Sequence, residues 1–403
     1  MNETLETYKS LVSQTTGFIF PNEIVIHWKI LIVVYPYITG LVAGAFILAS
    51  LVKVFNIKEV QPTYRLALLT ALAFLIVAPL PLLLHLGHPL RSYEIFLTPN
   101  LRSAMAMFGF VYAWYLLVVL LVEIWFEYRK DLVVWSQTAR FPLNWFYKII
   151  SLFSSDISEK AILFDKKAIK AITIIGIPSA FILHGYVGFI FGSVKANPWW
   201  SSVLMPIVFL FSAIVSGIAL VLLLYMIITP TRRQKIEMSC VDKIASYLLY
   251  AMIVDFSLEI LDFIHRLYES EESINILTSL VLNKLFVSLV IMQVLLGMIL
   301  PLGILISIKL FNLNQELRKL LYFATTILVQ VGIFTTRWNV VLGGQMFSKS
   351  FRGLTTFKMQ FSGIEGLLMA IFLLILPFII LVVLMKLLPP WGKDSDGALP
   401  GNG

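Results

Sequence analysis

Residues Leu66 to Arg91 read LALLTALAFLIVAPLPLLLHLGHPLR. Between Leu66 and Leu86 no side chain carries a fixed charge, and His85 is the first titratable group met. A hydrocarbon layer about 30 Å thick is spanned by roughly 20 apolar residues wound as a helix. Only a helix or a closed barrel satisfies its own backbone N–H and C=O groups there. The stretch is therefore long enough to cross a membrane, and it ends in a compact polar run, His85-Leu86-Gly87-His88-Pro89-Leu90-Arg91.

Working outward, eight more runs have the same character: Trp28–Leu51, Ala104–Trp125, Ile172–Phe191, Val203–Ile228, Ile244–Ile264, Leu285–Ile308, Leu320–Thr336 and Ile364–Leu388. A tenth segment, Asp131–Phe153, carries Gln137, Arg140 and Asn144 in its middle and Trp135, Trp145, Phe146 and Tyr147 at intervals. That pattern predicts a helix lying in the membrane interface. The expected fold class is an all-α integral membrane protein of nine transmembrane helices, arranged as two four-helix bundles plus a C-terminal helix. The expected organisation is an outer N-terminal segment (1–27) and a first bundle (28–194) containing a basic loop (127–170). A second bundle (203–342), an outer loop (343–363), a ninth helix (364–388) and a disordered cytoplasmic tail (389–403) follow.

Composition excludes a soluble globular domain: 59% of residues are hydrophobic and 13% charged, with a mean hydropathy of +0.88. Of the 31 basic residues, 20 fall on one side of the nine crossings. The positive-inside rule makes that side cytoplasmic, so the N-terminus is expected outside and the C-terminus inside, in a multi-pass protein of the cytoplasmic (inner) membrane. The net charge of +8 is thereby assigned to topology and membrane lipid, with no nucleic-acid partner. The acidic start (Glu3, Glu6 and Glu23 against Lys9) lacks the basic n-region of a cleavable signal. A single cysteine, Cys240, allows no disulfide and no thiolate-held zinc or iron–sulfur site within the chain.

Ionisable groups inside a membrane segment are functional suspects, because burying an unpaired charge is costly. Asp255, Glu259, Asp262 and Arg266 follow one another at spacings of four, three and four, which puts them on one helix face. Such a stripe reads either as a proton-handling ladder or as a structural ion-pair network with Lys284, Lys195 or Arg337. Glu123, near the inner end of the third crossing, extends the first reading towards the cytoplasm. His85 and His88, followed by Arg91 and Tyr93, combine a group that titrates near neutrality with a permanent cation. They suit hydrogen bonding to a quinone and proton supply for its reduction, or else capping of the helix end. His184 is flanked by Gly185 and Gly188, small neighbours that leave room for a flat ligand, but a lone buried histidine is as readily a satisfied core residue. Trp199 and Trp200 read as interfacial aromatic belt. Arg337, Asn339 and Gln345 end the eighth crossing, around Gly343-Gly344, as a ligand contact or a docking loop. The three polar clusters at His85, His184 and Arg337 fall on one side of the bilayer.

Three runs carry a resemblance: Leu86-Gly87-His88-Pro89-Leu90-Arg91 with Leu97-Thr98-Pro99-Asn100; His184 to Trp199-Trp200, with Leu204-Met205-Pro206 and Phe211-Ser212-Ala213-Ile214-Val215-Ser216-Gly217; and Arg337-Trp338-Asn339-Val340-Val341-Leu342-Gly343-Gly344-Gln345. In this order they resemble the NrfD/polysulfide-reductase (PsrC-like) membrane-subunit family, from about Trp28 to Lys358. The resemblance implies two four-helix bundles with no haem or metal of their own. It also implies a site for quinone (menaquinone or ubiquinone) near the outer face, beside a partner iron–sulfur subunit, often with a molybdopterin or other catalytic subunit. His85, Arg91, His184 and Asp255 match positions where such proteins keep quinone or proton-handling residues. Many relatives have an acidic or arginine residue where this chain has His85 and His88.

Two other classes compete with the quinone-reactive subunit. A b-type cytochrome needs paired histidines at equal depth, and the five are His27, His85, His88, His184 and His265. His85 with His184 offers one pair near the outer face and none remains for the inner face, so two-haem electron transfer is excluded. A proton-coupled secondary transporter favours broken helices with binding groups at the midplane, whereas here the polar clusters crowd the outer end.

Overall fold

The computed structural model describes residues 9–10, 12–100, 102–269 and 272–391. Among the described residues nine helices are long and apolar enough to cross a membrane: α1 (Ile30–Lys53), α2 (Lys58–His85), α3 (Ala106–Thr138), α4 (Glu159–Gly192), α5 (Met205–Thr231), α6 (Met238–Tyr268), α7 (Ile274–Leu310), α8 (Gln315–Gln345) and α9 (Leu367–Leu387). Most of the tail expected to be disordered lies outside the described residues.

Local sequence explains where these helices depart from regularity. Pro79 has no N–H to donate, and α2 is interrupted between Val77 and Leu80. Two stretches are wound wider, as π-helix: Tyr115–Leu120 in α3 and Val281–Ile299 in α7. At the end of the second, Leu300 N–H reaches back five residues to Leu295 O. Helix α3 runs on to Thr138, so the first third of the segment expected to lie in the interface belongs to a membrane helix. Its charged residues there, Arg129 and Asp131, find partners in Asp165 and Arg65, which removes the cost of carrying charge on a crossing helix. Only Leu143–Ile150 forms a separate short helix. It is pinned by Tyr147, whose hydroxyl donates to Leu387 O at 3.0 Å.

Lipid chains are as apolar as leucine, so membrane helices associate through close packing and interhelical hydrogen bonds. Helices α1 and α5 form the central seam: α1 packs on α2, α4, α5 and α8, and α5 on α1, α4, α6 and α8. The two helices cross at Gly44 and Gly217, where a Cβ on Gly217 would sit 2.3 Å from the Gly44 carbonyl carbon. Gly297 and Gly332 serve the α7–α8 crossing in the same way. Across the seam, Tyr37 OH donates to Gln330 Oε1 at 2.7 Å, and Gln330 Nε2 donates to Ser216 O at 2.7 Å. Each such bond contributes about 0.6 to 2 kcal/mol in a membrane. Helices α1–α4 and α5–α8 thus make two bundles sharing one seam, and α9 lies against α2 and α1.

Over the His85 end a cap joins two segments far apart in sequence. Strand β1 (Thr16–Phe18) pairs antiparallel with β2 (Arg352–Leu354), Thr16 opposite Leu354. Gln345 is bonded twice to Trp28, accepting from its N–H and donating to its carbonyl, both at 3.0 Å.

Candidate functional site

Helix α6 supplies the acidic face expected from the four-three-four spacing. Asp255 and Asp262 are buried. Asp262 accepts hydrogen bonds from Ser202 and from Arg266 one turn on. Glu259 Oε2 accepts from Gln293 Nε2 at 2.9 Å, and Gln293 Oε1 accepts from Asn339 Nδ2 at 2.7 Å, so α6, α7 and α8 are joined through one amide. Lys284, a candidate partner of the stripe, donates instead to Thr356 Oγ1 at 2.6 Å.

Arg337 on α8 is fully buried. Its Nη2 donates to Ser212 Oγ at 2.5 Å and meets His184 Nε2 at 3.2 Å, while the guanidinium lies 4.1 Å from the centre of the Phe209 ring. A guanidinium has only donors. His184 Nε2 must therefore accept, which puts the ring proton of a neutral imidazole on Nδ1. Asp255 and Glu259 are the acidic groups whose field Arg337 feels.

Six buried polar atoms in this neighbourhood have no hydrogen-bond partner among the described residues: Nε and Nη1 of Arg337, Oδ1 of Asp255, Oε1 of Glu259, Oδ1 of Asn339 and Nδ1 of His184. An orphaned buried group costs about 1–3 kcal/mol. Clustered polar atoms of this kind are where ordered water is held. Water bridging them would link carboxylates, guanidinium and imidazole into a path for protons. Beside them, between α6 and α7, opens a crevice of about 450 Å³ lined by Glu259, Asp262, Gln293 and Asn339 among apolar side chains.

The His85 end holds a separate constellation. His85 Nδ1 lies 2.5 Å from Glu365 Oε1, and Lys29 Nζ lies 2.9 Å from Glu365 Oε2. Burial pushes the Glu365 carboxyl up, but the hydrogen bonds and charges of Lys29 and His85 outweigh this and hold it below the usual carboxylate range. At the opposite end of the first bundle, Tyr64 OH donates to Glu123 Oε1 at 3.0 Å, and Glu123 is fully buried. Next to it Glu127 takes Lys53 and Arg65, both at 2.9 Å.

The expected site residues therefore fall into four places, Glu123 standing apart with Tyr64. His184 and Arg337 meet each other beside Asp255, Glu259 and Asp262. His85 stands with Glu365 and Lys29. His88, Arg91 and Tyr93 are exposed, Arg91 pairing with Glu94 at 2.9 Å, and the structure does not bring them to His184. Trp199 and Trp200 are buried instead of forming an interfacial belt: their indole N–H groups donate to Asn339 O at 2.9 Å and Val340 O at 2.6 Å. They lock the end of α8, whose last carbonyls need donors. Sequence reasoning missed Gln293, Ser212 and Glu365. Gln293 left a signal, since an amide inside a long apolar run is rarely idle. Glu365 left none, being 280 positions from His85. Among the described residues no group of three or more His, Cys, Asp or Glu is placed to hold a metal ion.

Residues 20–349 match the family described as polysulphide reductase, NrfD. The chain is 34% identical over 248 residues to a selenate reductase subunit of Mesobacillus selenatarsenatis, covering 60% of this chain and 57% of that protein. It is 30% identical over 205 residues to a putative dimethyl sulfoxide reductase membrane subunit of Halobacterium salinarum, covering 49% and 42%. To protein NrfD of Escherichia coli it is 24% identical over 217 residues, covering 53% and 63%. The chain thus spans about half the length of the curated relatives it matches. With a match over most of its length, on nine apolar helices, the chain belongs to the NrfD (polysulphide reductase) family of membrane proteins.

Proposed function

We propose that this chain is the quinone-reactive membrane subunit of a multi-subunit oxidoreductase. It would exchange electrons between a partner iron–sulfur subunit and membrane quinone, with coupled proton transfer. A molybdopterin-type catalytic subunit would complete the assembly, a reading encouraged by the similarity to subunits of selenate and dimethyl sulfoxide reductases. The observation that carries the proposal is the set of buried, partly unpartnered protonatable groups around Arg337. A passive anchor has no need of them, and each is costly to keep in a membrane.

Reducing a quinone takes two electrons and two protons, and the protons must come from residues or water. His85 suits the ring end of this chemistry: Glu365 fixes its Nδ1, leaving Nε2 to meet a quinone carbonyl and pass it a proton. Asp255, Glu259 and Asp262 would move protons through the second bundle, with Arg337 holding negative charge there between transfers. Glu123, with Tyr64, supplies a protonatable group at the opposite end. The exposed run with His88, Arg91 and Tyr93 fits contact with the partner subunit better than contact with the ring.

The test is Asp255→Asn in the intact complex in native membranes, scored for quinone-linked turnover and proton uptake. Isosteric loss of the carboxylate should lower both by 10-fold or more, general acid–base steps contributing about 10²–10⁴. Unchanged turnover and unchanged uptake would end the proton-transfer reading.

A further inference from the structure

The crevice between α6 and α7 has a floor and walls of opposite character. Its walls are apolar, with Phe256, Phe263, Leu289 and Val294 among them. Ile260 and Phe263 line it and are each 42% exposed, so it opens sideways from the bundle towards the lipid. Leu289, Gln293 and Val294, all within the π-wound stretch Val281–Ile299, line it. A smaller hollow of about 120 Å³, bounded by Trp199, Phe263 and Leu282, continues it along the two helices. At about 450 Å³ the main space lies in the range of small-molecule sites, roughly 300–1,000 Å³.

The floor is Glu259, Gln293 and Asn339. Gln293 is used at both ends of its amide, which fixes the orientation of the other two. Two atoms are left over, Glu259 Oε1 and Asn339 Oδ1, and both are acceptors without a donor among the described residues. Asn339 is 1% exposed. Buried acceptors beneath apolar walls call for a flat apolar body that carries hydroxyl donors. A fatty-acyl chain brings no donor. A phosphate head group brings acceptors, which these two oxygens cannot use, and the cation in the lining, Arg266, is already paired with Asp262. A hydroquinone brings two O–H groups on an apolar ring, with a hydrocarbon tail for the hollow.

We propose that the α6–α7 crevice is a second binding site, for the reduced ring of a lipid-soluble quinone, separate from the His85 end. The hydroxyls of the ring donate to Glu259 Oε1 and Asn339 Oδ1, and the tail runs out past Phe263 and Leu282. This rests on the quinone reading above and adds a second station, placed directly on the carboxylate file.

Native membranes containing the tagged chain would be illuminated with a decyl-tailed azidobenzoquinone, reduced to the quinol beforehand. The chain is then purified and its adducts are mapped by mass spectrometry. The expected result is adducts within 256–263 and 281–298, displaced by excess decylubiquinol and at least 10-fold weaker in Val294→Trp, which fills the crevice. Labelling around 80–97 should persist in that variant. Displacement in the unmutated protein gives a reading even where Val294→Trp assembles poorly. Displaceable adducts confined to 80–97 would overturn the second site and leave the quinone reading standing. No displaceable adduct anywhere would overturn both. Adducts on α6 and α7 that neither competitor nor Val294→Trp reduces would mark a lipid-facing surface and overturn the site.

Discussion

The two bundles use their interiors differently. In the first, α1 is packed on all sides, with 89% of its most apolar window buried. The polar groups inside it are paired in part, as in Tyr64 with Glu123 and Arg129 with Asp165, while Tyr35, Tyr115, Tyr186 and the second oxygen of Glu123 keep buried polar atoms without a hydrogen-bond partner among the described residues. In the second, Arg337, Asp255, Glu259 and Asn339 keep such atoms as well, none with a partner among the described residues, and α6 and α7 part to leave a crevice that Glu259 and Asn339 line. A membrane helix gains little from hydrophobic burial against lipid, so unfilled space and unpartnered polar atoms are net losses unless water or a ligand occupies them. The difference teaches that close packing is concentrated on the α1–α5 side, and that the second bundle sets some of its unpartnered polar atoms beside open space.

The strongest way to break this comparison is Arg337→Ala. Removing the side chain takes the charged donor away from Ser212 and His184 and leaves a hole in the core, and bonds to a charged group are worth about 1.5–3 kcal/mol each. The temperature at which the purified chain aggregates in mild detergent should fall steeply, with Arg337→Lys intermediate because the charge survives. A loss no larger than that of the first-bundle variants below would mean that the two interiors are alike.

A smaller effect is expected from Glu365→Gln at the His85 end, where bonds to a charged group are worth about 1.5–3 kcal/mol. Its sign with pH follows from the lowered carboxyl pKa. The ion pairs stabilise fully above the unfolded-state pKa of the carboxyl, and the contribution is lost as pH falls through the lower folded value. The gap between wild type and Glu365→Gln should therefore close on acidification. A gap that widens would place the stabilisation elsewhere.

The smallest effect belongs to Tyr64→Phe, which takes one hydrogen bond from Glu123 and should cost about 0.5–1.5 kcal/mol. With Glu123 less tightly held, proton uptake would report whether this end of the first bundle takes part in transfer. Equal uptake in wild type and variant would make Tyr64 a packing residue only.

Much of the fold was legible in the chain, because crossing a membrane imposes a length and an apolarity that no tertiary contact alters. The nine runs are one-dimensional facts of that kind. The four-three-four spacing likewise put Asp255, Glu259 and Asp262 on one face without help from other helices, since 3.6 residues per turn decide it. The fate of residues 131–138 was less legible: Gln137, Arg140 and Asn144 argued for an interfacial helix, whereas α3 extends through Asp131, which finds its partner in Arg65 on α2.

Which partners those residues meet was decided by packing alone. Polar side chains of similar local setting were sorted into opposite roles: Trp199 and Trp200 went inward to close α8, while Arg91 stayed out with Glu94. His184 found Arg337 across 153 positions and His85 found Glu365 across 280. Such pairings depend on how helices cross and on which atoms remain unsatisfied after they do. The sequence by itself determined that this is a nine-crossing membrane protein with ionisable groups held at depth. The tertiary structure decided which partners those groups meet, His184 with Arg337, His85 with Glu365 and Glu123 with Tyr64, because hydrogen-bond geometry is settled between helices and not along them.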